Sequence, residues 1–249
     1  MDDYQQLNIR RFRELAERAE QNSVYSYSEF HSVRTAALAY TVAPDSFVSF
    51  KGGPENAERV IVRFGDPNEL CYDEKAPVKV LHISPRQMKF ADKLTHRDFL
   101  GAILNIGIER DMLGDILVEN SSAYCFVMEK VADLLCAELD RVKNTAVICR
   151  VVDEVPKEVL PKLIETDITL SSPRLDAVIS KVWHLSRADS KSLFDEEKVT
   201  VNGRLCKDPE TVLKADSKVS VRGCGRFEYR GEEKITKKGR TAIRIWRYV

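Results

Sequence analysis

Apolar and polar positions alternate along this chain with two periods, and the periods change at recognisable signals. In IRRFRELAERAEQ, Ile9, Phe12, Leu15, Ala16 and Ala19 are spaced for one face of a helix. A second helix is predicted through FHSVRTAALAYTVA, ending before Pro44. FVSF and RVIVRF read as strands, joined by KGGPENAE, a connection marked by glycine and proline. VKVLHIS is the next strand pattern, closed by Pro85. Thr95, with Asp98 three residues on, forms a capping-box pattern that opens a helix through HRDFLGAILNI, and Gly107 stands where the helix would stop. DILVEN and AYCFVM predict a hairpin around Asn120-Ser121-Ser122, KVADLLCAELDRV an amphipathic helix, and TAVICRVV a buried strand.

A third pattern begins in SSPRLDAVISKVWHLSRADS. Ser172 is a good N-cap, and Pro173 suits a first helical position, where its missing N–H would be unpaired anyway. Leu175, Val178, Ile179 and Val182 form one apolar stripe, while Arg174 and Lys181 share a face off it. Ser186 and Asp189 make a second capping box, starting a helix through about Phe194 with Arg187 and Lys191 on one side. VTVNGRLC then reads as a hairpin on an Asn202-Gly203 turn, followed by the strands KVSVRG, GRFEYRG and TAIRIWRYV. The expected class is α+β in three units: an α/β unit over 1–75, a second over 76–168, and two short helices on a small twisted sheet over 172–249.

Charge sharpens that division. The whole chain of 249 residues balances 39 Lys and Arg against 39 Asp and Glu. From Ser172 to Val249, however, 18 basic residues face 11 acidic ones, leaving the rest of the chain acidic by the same margin. One basic binding module on an acidic body is the expectation. The N-terminus carries acids and glutamines in place of the apolar run of a signal peptide, and no stretch reaches the roughly 18 apolar residues of a membrane span. A cytosolic protein without membrane partner is expected. The six cysteines are scattered without CxxC spacing, which favours buried free thiols over zinc, and no metal or cofactor is expected.

PRLDAVI, LSRADSKSLF, KVTVNGR and DSKVSVRGCGRF, in that order and spacing, resemble the S4 RNA-binding domain over about 60 residues. In that domain two helices and the following strand present a basic face to folded RNA. By motif position the resemblance implies contacts from Arg174, Ser186, Arg187, Lys191, Lys198, Asn202, Gly203 and Arg204. Arg222 and Arg226 in the trailing strand, and Lys181 on the helical face, are further candidates. Elementary physics agrees: cations neutralise phosphates and release counterions, helix starts offer unpaired N–H groups, and an Asn-Gly turn lets backbone come close. One departure is the acidic run Asp195-Glu196-Glu197, where many S4 domains carry a Gly-Lys or similar pair.

HRDFLGAILNIGIERDMLGDILV ahead of that domain, with a basic TKKGR tail holding Lys237 and Lys238, resembles the YlmH group of bacterial S4 proteins. The resemblance implies a ribosome-associated factor of quality control that binds large subunits carrying stalled peptidyl-tRNA. Its implied partners are 23S rRNA and the large subunit, with tRNA as an additional candidate and no small-molecule substrate. Arg97 and Arg110 are candidates for secondary RNA contacts.

No catalytic constellation emerges. The HRD at 96–98 lacks the Asn a kinase loop needs five residues on, where Ile103 stands, and the GCG at 223–225 lacks a third glycine. His31 and His184 have no partner at ligand spacing. A non-catalytic RNA-binding factor is the leading expectation. An RNA-modifying enzyme seated in the central unit and a cell-division-linked interaction scaffold are the alternatives.

Overall fold

Phe12, Ala16 and Ala19 lie on the buried face of α1 (Asp3–Asn22), as their spacing predicts. The structure is a computed structural model that describes residues 3–235 and 241–248, the side chains of 232–235 excepted. It is a mixed α+β chain in two compact units, Met1–Leu160 and Pro161–Val249. The division expected near residue 75 falls inside the first unit, and the cut between units comes at 160–161.

In the first unit, α1 is followed by β1 (Ser26–Ser32), the short α2 (Val33–Ala36) and a 3-10 turn over Ala37–Thr41. The helix expected over FHSVRTAALAYTVA therefore loses its first three residues to a strand. The reason lies at Ser28, which sits at an irregularity in the β1 ladder and is 1% exposed. Its hydroxyl accepts from the Val62 N–H at 2.9 Å and donates to the Glu29 carbonyl at 2.7 Å, so a polar residue is fully satisfied in a buried strand. β2 (Val48–Lys51) and β3 (Arg59–Phe64) complete a three-stranded antiparallel sheet of order β1-β3-β2, and α3 (Pro67–Leu70) follows.

The rest of the unit runs β4 (Val78–Pro85), α4 (His96–Asn105), β5 (Leu113–Glu119), β6 (Ser122–Met128), α5 (Glu129–Glu138), β7 (Arg141–Val142) and β8 (Thr145–Val152). Thr95 and Asp98 form the expected capping box on α4, and Gly107 takes the expected left-handed φ of 95° past its end. Asn120 and Ser121 turn the β5–β6 hairpin with φ of 47° and 61°. Strand order is β5-β6-β4-β8-β7, antiparallel throughout, giving the split β-α-β-β-α-β arrangement. Leu81, Ile83, Cys125, Val127, Val147 and Cys149 point to one face of this sheet and pack with Phe99 and Ile103 of α4 and Leu135 of α5. The other face is covered along one end only: Phe126, Met128, Val78 and Val80 pack with Phe30 of β1 and Ile61 of β3. Arg59 fastens the same junction, donating to the carbonyls of Leu113 (2.8 Å), Phe30 (2.8 Å) and Arg110 (3.1 Å). This shared cluster makes the two α/β halves one unit.

The second unit opens with β9 (Leu163–Leu170), an edge strand the hydrophobic pattern left unassigned. Two helices follow, α6 (Leu175–Val182) and α7 (Arg187–Asp195), then β10 (Val199–Val201), β11 (Arg204–Leu205), β12 (Ser217–Val221), β13 (Gly225–Ile235) and β14 (Thr241–Tyr248). They form a six-stranded antiparallel sheet of order β11-β10-β12-β13-β14-β9. Its core gathers Leu175, Val178, Ile179 and Val182 of the predicted stripe with Phe194, Val219, Phe227 and Ile245. Among the described residues no helix is long and apolar enough to cross a membrane.

Candidate nucleic-acid interface

The first turn of α6 is held by chain from outside the helix. Its N-cap is Arg174, in place of the expected Ser172, because Arg174 is extended and bridges Val212. The N–H groups of Leu175 and Asp176 donate to the carbonyls of Thr211 (2.9 Å) and Pro209 (3.0 Å), so the loop does what a side-chain cap would do. Asp176 is thereby carried into the interior, 1% exposed. Its carboxylate accepts from Arg174 Nε and Nη2, both at 3.2 Å, and pairs with Arg187 Nη1 at 2.8 Å. Burial alone would push this carboxyl up. The Arg174 hydrogen bonds and the Arg187 and Arg174 charges more than offset it, holding the group below the usual carboxylate range. One buried anion thus draws together two arginines that the sequence places on different helices, and Arg174 also meets Glu210 at 2.9 Å.

Ser186 caps α7 as predicted, but this occupies its hydroxyl, which accepts from the Asp189 N–H (3.0 Å) and donates to Asp189 Oδ2 (2.7 Å). Ser190, fully buried one turn on, donates to the Asp176 carbonyl at 2.7 Å and locks the helices together. Lys181 on α6 and Lys191 on α7 are exposed, as is Arg222 beyond β12, and none of the three forms a salt bridge among the described residues. Lys198 differs: Glu196 pairs with it at 2.6 Å, while Glu197 pairs with Lys207 at 2.7 Å. The acidic run therefore subtracts from the basic face by direct pairing. Asn202 and Gly203 have φ of 51° and 79°, the expected turn, yet the Asn202 side chain is spent on the Lys218 N–H at 2.8 Å. Arg204 is exposed on β11, and Arg226 is half-buried on β13. Lys237 and Lys238 lie outside the described residues.

The two secondary candidates of the first unit diverge. Arg97 is exposed in the first turn of α4. Arg110 points inward, its guanidinium donating to the Leu113 carbonyl at 2.8 Å, and so serves the junction that Arg59 fastens. Arg110, half-buried, thus spends Nη1 on a carbonyl at the start of β5, whereas Arg97 has its side chain in the open. All six cysteines are free, with Cys125 and Cys149 buried, Cys136, Cys206 and Cys224 half-buried and Cys71 exposed. Burial pushes the Cys125 thiol up to about 12. Among the described residues no cluster of His, Cys, Asp and Glu is placed to hold a metal ion.

These units define a multi-domain α+β protein with a helix-pair face bearing exposed cations. Residues 75–154, the split β-α-β-β-α-β sheet, match the family described as "Putative RNA-binding domain in YlmH". The chain is 29% identical over 213 residues to the "Ribosome-associated protein quality control protein P2" of Bacillus subtilis (strain 168), covering 82% of this chain and 79% of that protein. A solved structure, the "Cell division protein ylmH from Streptococcus pneumoniae", aligns at 20% identity and a TM-score of 0.48 over 61% of this chain and 93% of its own. By the first two of these matches the chain is similar to YlmH-type RNA-binding proteins, most specifically over residues 75–154. Within the matched domain the sequence singles out only Arg97 and Arg110, because charge and motif concentrate on the helix pair further along the chain.

Proposed function

We propose that this protein is a non-catalytic RNA-binding factor of the bacterial large ribosomal subunit, acting in the quality control of stalled peptidyl-tRNA. The observation that carries the reading is the match of residues 75–154 to an RNA-binding domain, in a chain whose relative is named for ribosome-associated quality control. The C-terminal unit reads as an S4 domain whose face grips 23S rRNA phosphates. On this reading Asp176 and Glu210 occupy the Arg174 fork and fix it in place, while Arg187, half exposed and meeting Asp176 through Nη1, is the arginine of the pair left to contact phosphate. Lys181, Lys191 and Arg222 supply cations whose charge is not offset by a carboxylate among the described residues. The more acidic first unit faces tRNA or ribosomal protein. Function is adhesion: phosphate contacts fix position, and no bond is made or broken by this chain.

Cosedimentation of the double variant Arg187→Ala/Lys191→Ala with purified large subunits tests the reading. The variant is expected in the supernatant while the wild type pellets; unchanged pelleting would contradict it. Mapping of modified rRNA nucleotides in cells with and without the gene is expected to give identical patterns, and a missing modification would favour an RNA-modifying enzyme.

A further inference from the structure

The sheet of the RNA-binding domain has one face packed against helices and a second face covered only in part. On that second face Phe126, Met128, Val78 and Val80 lie beneath Phe30 and Ile61, and the covered cluster extends to Leu117. One step further along the strands, this cover ends. His82 of β4 stands directly opposite Tyr124 of β6 and Arg150 of β8, so the three form one row across neighbouring strands. Strand alternation puts Ser84 and Arg86 on the same face beyond His82, and Arg141, opposite Ala146 on β8, joins them. His82 and Tyr124 are half-buried and outside every core cluster, whereas Arg150, Arg86 and Arg141 are exposed.

The two rings are stacked, with centroids 4.5 Å apart and planes within 14°. A two-ring stack has two outer π-faces, and a third planar group added to either one extends it. Burial, and then the Arg150 charge, lower the His82 pKa, so the imidazole is uncharged at neutral pH and its ring is not hydrated as an ion. Arg150 and Arg141 form no salt bridge among the described residues, and the donors of Arg86 are used once, from Nε to the Val147 carbonyl at 3.3 Å. Glu119, at the far edge on β5, is the acid on this stretch of the face. Stacked aromatics beside unpaired guanidiniums, on an open sheet face, suit unpaired nucleotides: bases take the π-faces and phosphates the cations. A duplex would hide its base faces, and an apolar protein partner would leave three guanidiniums desolvated without anions.

We propose that the Tyr124–His82 ring pair is a stacking site for an unpaired RNA base, with Arg150, Arg86 and Arg141 meeting the flanking phosphates. This rests on the reading of the protein as an RNA-binding factor and assigns the central sheet its own mode, distinct from phosphate gripping by the helix pair.

The full-length protein is titrated with a labelled oligouridine and with a duplex RNA of equal length, and its binding to large subunits is measured in parallel. Tyr124→Leu is expected to weaken oligouridine binding about ten-fold, Tyr124→Phe to retain it, and duplex binding to change little in either. Independently of any variant, photocross-linking of 5-iodouridine-substituted RNA to the wild type is expected to label the peptide holding Tyr124. Adducts confined to other peptides, or full oligouridine affinity in Tyr124→Leu, would overturn the proposal. If large-subunit binding is then still lost in Arg187→Ala/Lys191→Ala, the stacking site alone falls. If the wild type binds neither RNA nor subunits, the reading beneath it falls as well.

Discussion

Asp176 shows how a single buried carboxylate can organise two arginines on neighbouring helices. Its carboxylate is almost fully buried, yet it keeps its charge because Arg174 and Arg187 both reach it. Removing one partner from such a buried arrangement leaves the others uncompensated. Asp176→Asn is therefore expected to destabilise the protein by roughly 3 kcal/mol at neutral pH, read from denaturant unfolding. The direction of the pKa shift fixes the pH dependence. A depressed carboxyl contributes stability that is complete above the unfolded value near pH 4 and is lost as pH falls through the lower folded value. The gap between wild type and variant should therefore be widest above about pH 5 and close under more acid conditions. A gap that stayed constant with pH would show that the variant acts through packing alone. From sequence, Asp176 could be placed beside a basic group, but its burial could not be read, because the 209–211 loop that draws it inward is far along the chain.

At the scale of elements, strongly periodic segments with local caps were legible, and segments stabilised from a distance were not. α1, α4 with its capping box, α7 with Ser186, and the Asn202-Gly203 turn follow from residues within a few positions of each other. β1 escaped because its buried positions include Ser26 and Ser28, whose hydroxyls hide the alternation that apolar residues would show. β9 escaped because Glu165 and Asp167 mark it as loop-like, although they meet Arg244 of the neighbouring β14 at 2.9 and 3.1 Å. The end of α7 carries a separate cost. Glu197 closes the helix with a left-handed φ of 52°, its N–H donating to the Phe194 carbonyl and the Lys198 N–H to that of Leu193. That conformation favours glycine. Glu197→Gly is expected to raise stability by about 0.5–1 kcal/mol despite loss of the exposed Lys207 pair, which is worth little in solvent. A lower thermal midpoint in the variant would show that the Glu197 side chain contributes more than its backbone costs.

Across the whole molecule, net charge and motif point to the C-terminal unit and the domain match to the central sheet, so the two proposals assign RNA to two surfaces of different chemistry. The second surface was not legible in sequence because its residues, His82, Tyr124 and Arg150, meet only through strand register. That residues 1–75 and the central sheet fall in one compact unit was not legible for the same kind of reason: Arg59 and the Phe30–Ile61–Phe126 cluster join segments far apart in the chain. The proposed function requires that exposed cations on the helix pair displace counterions from ribosomal RNA. The salt dependence of binding to purified large subunits measures this directly, and Lys181 and Lys191 are the cleanest probes because neither supports a carboxylate among the described residues. For Lys181→Ala/Lys191→Ala, the slope of log affinity against log salt should be shallower than wild type by roughly two, one for each lysine that no longer neutralises a phosphate. An unchanged slope would contradict the account.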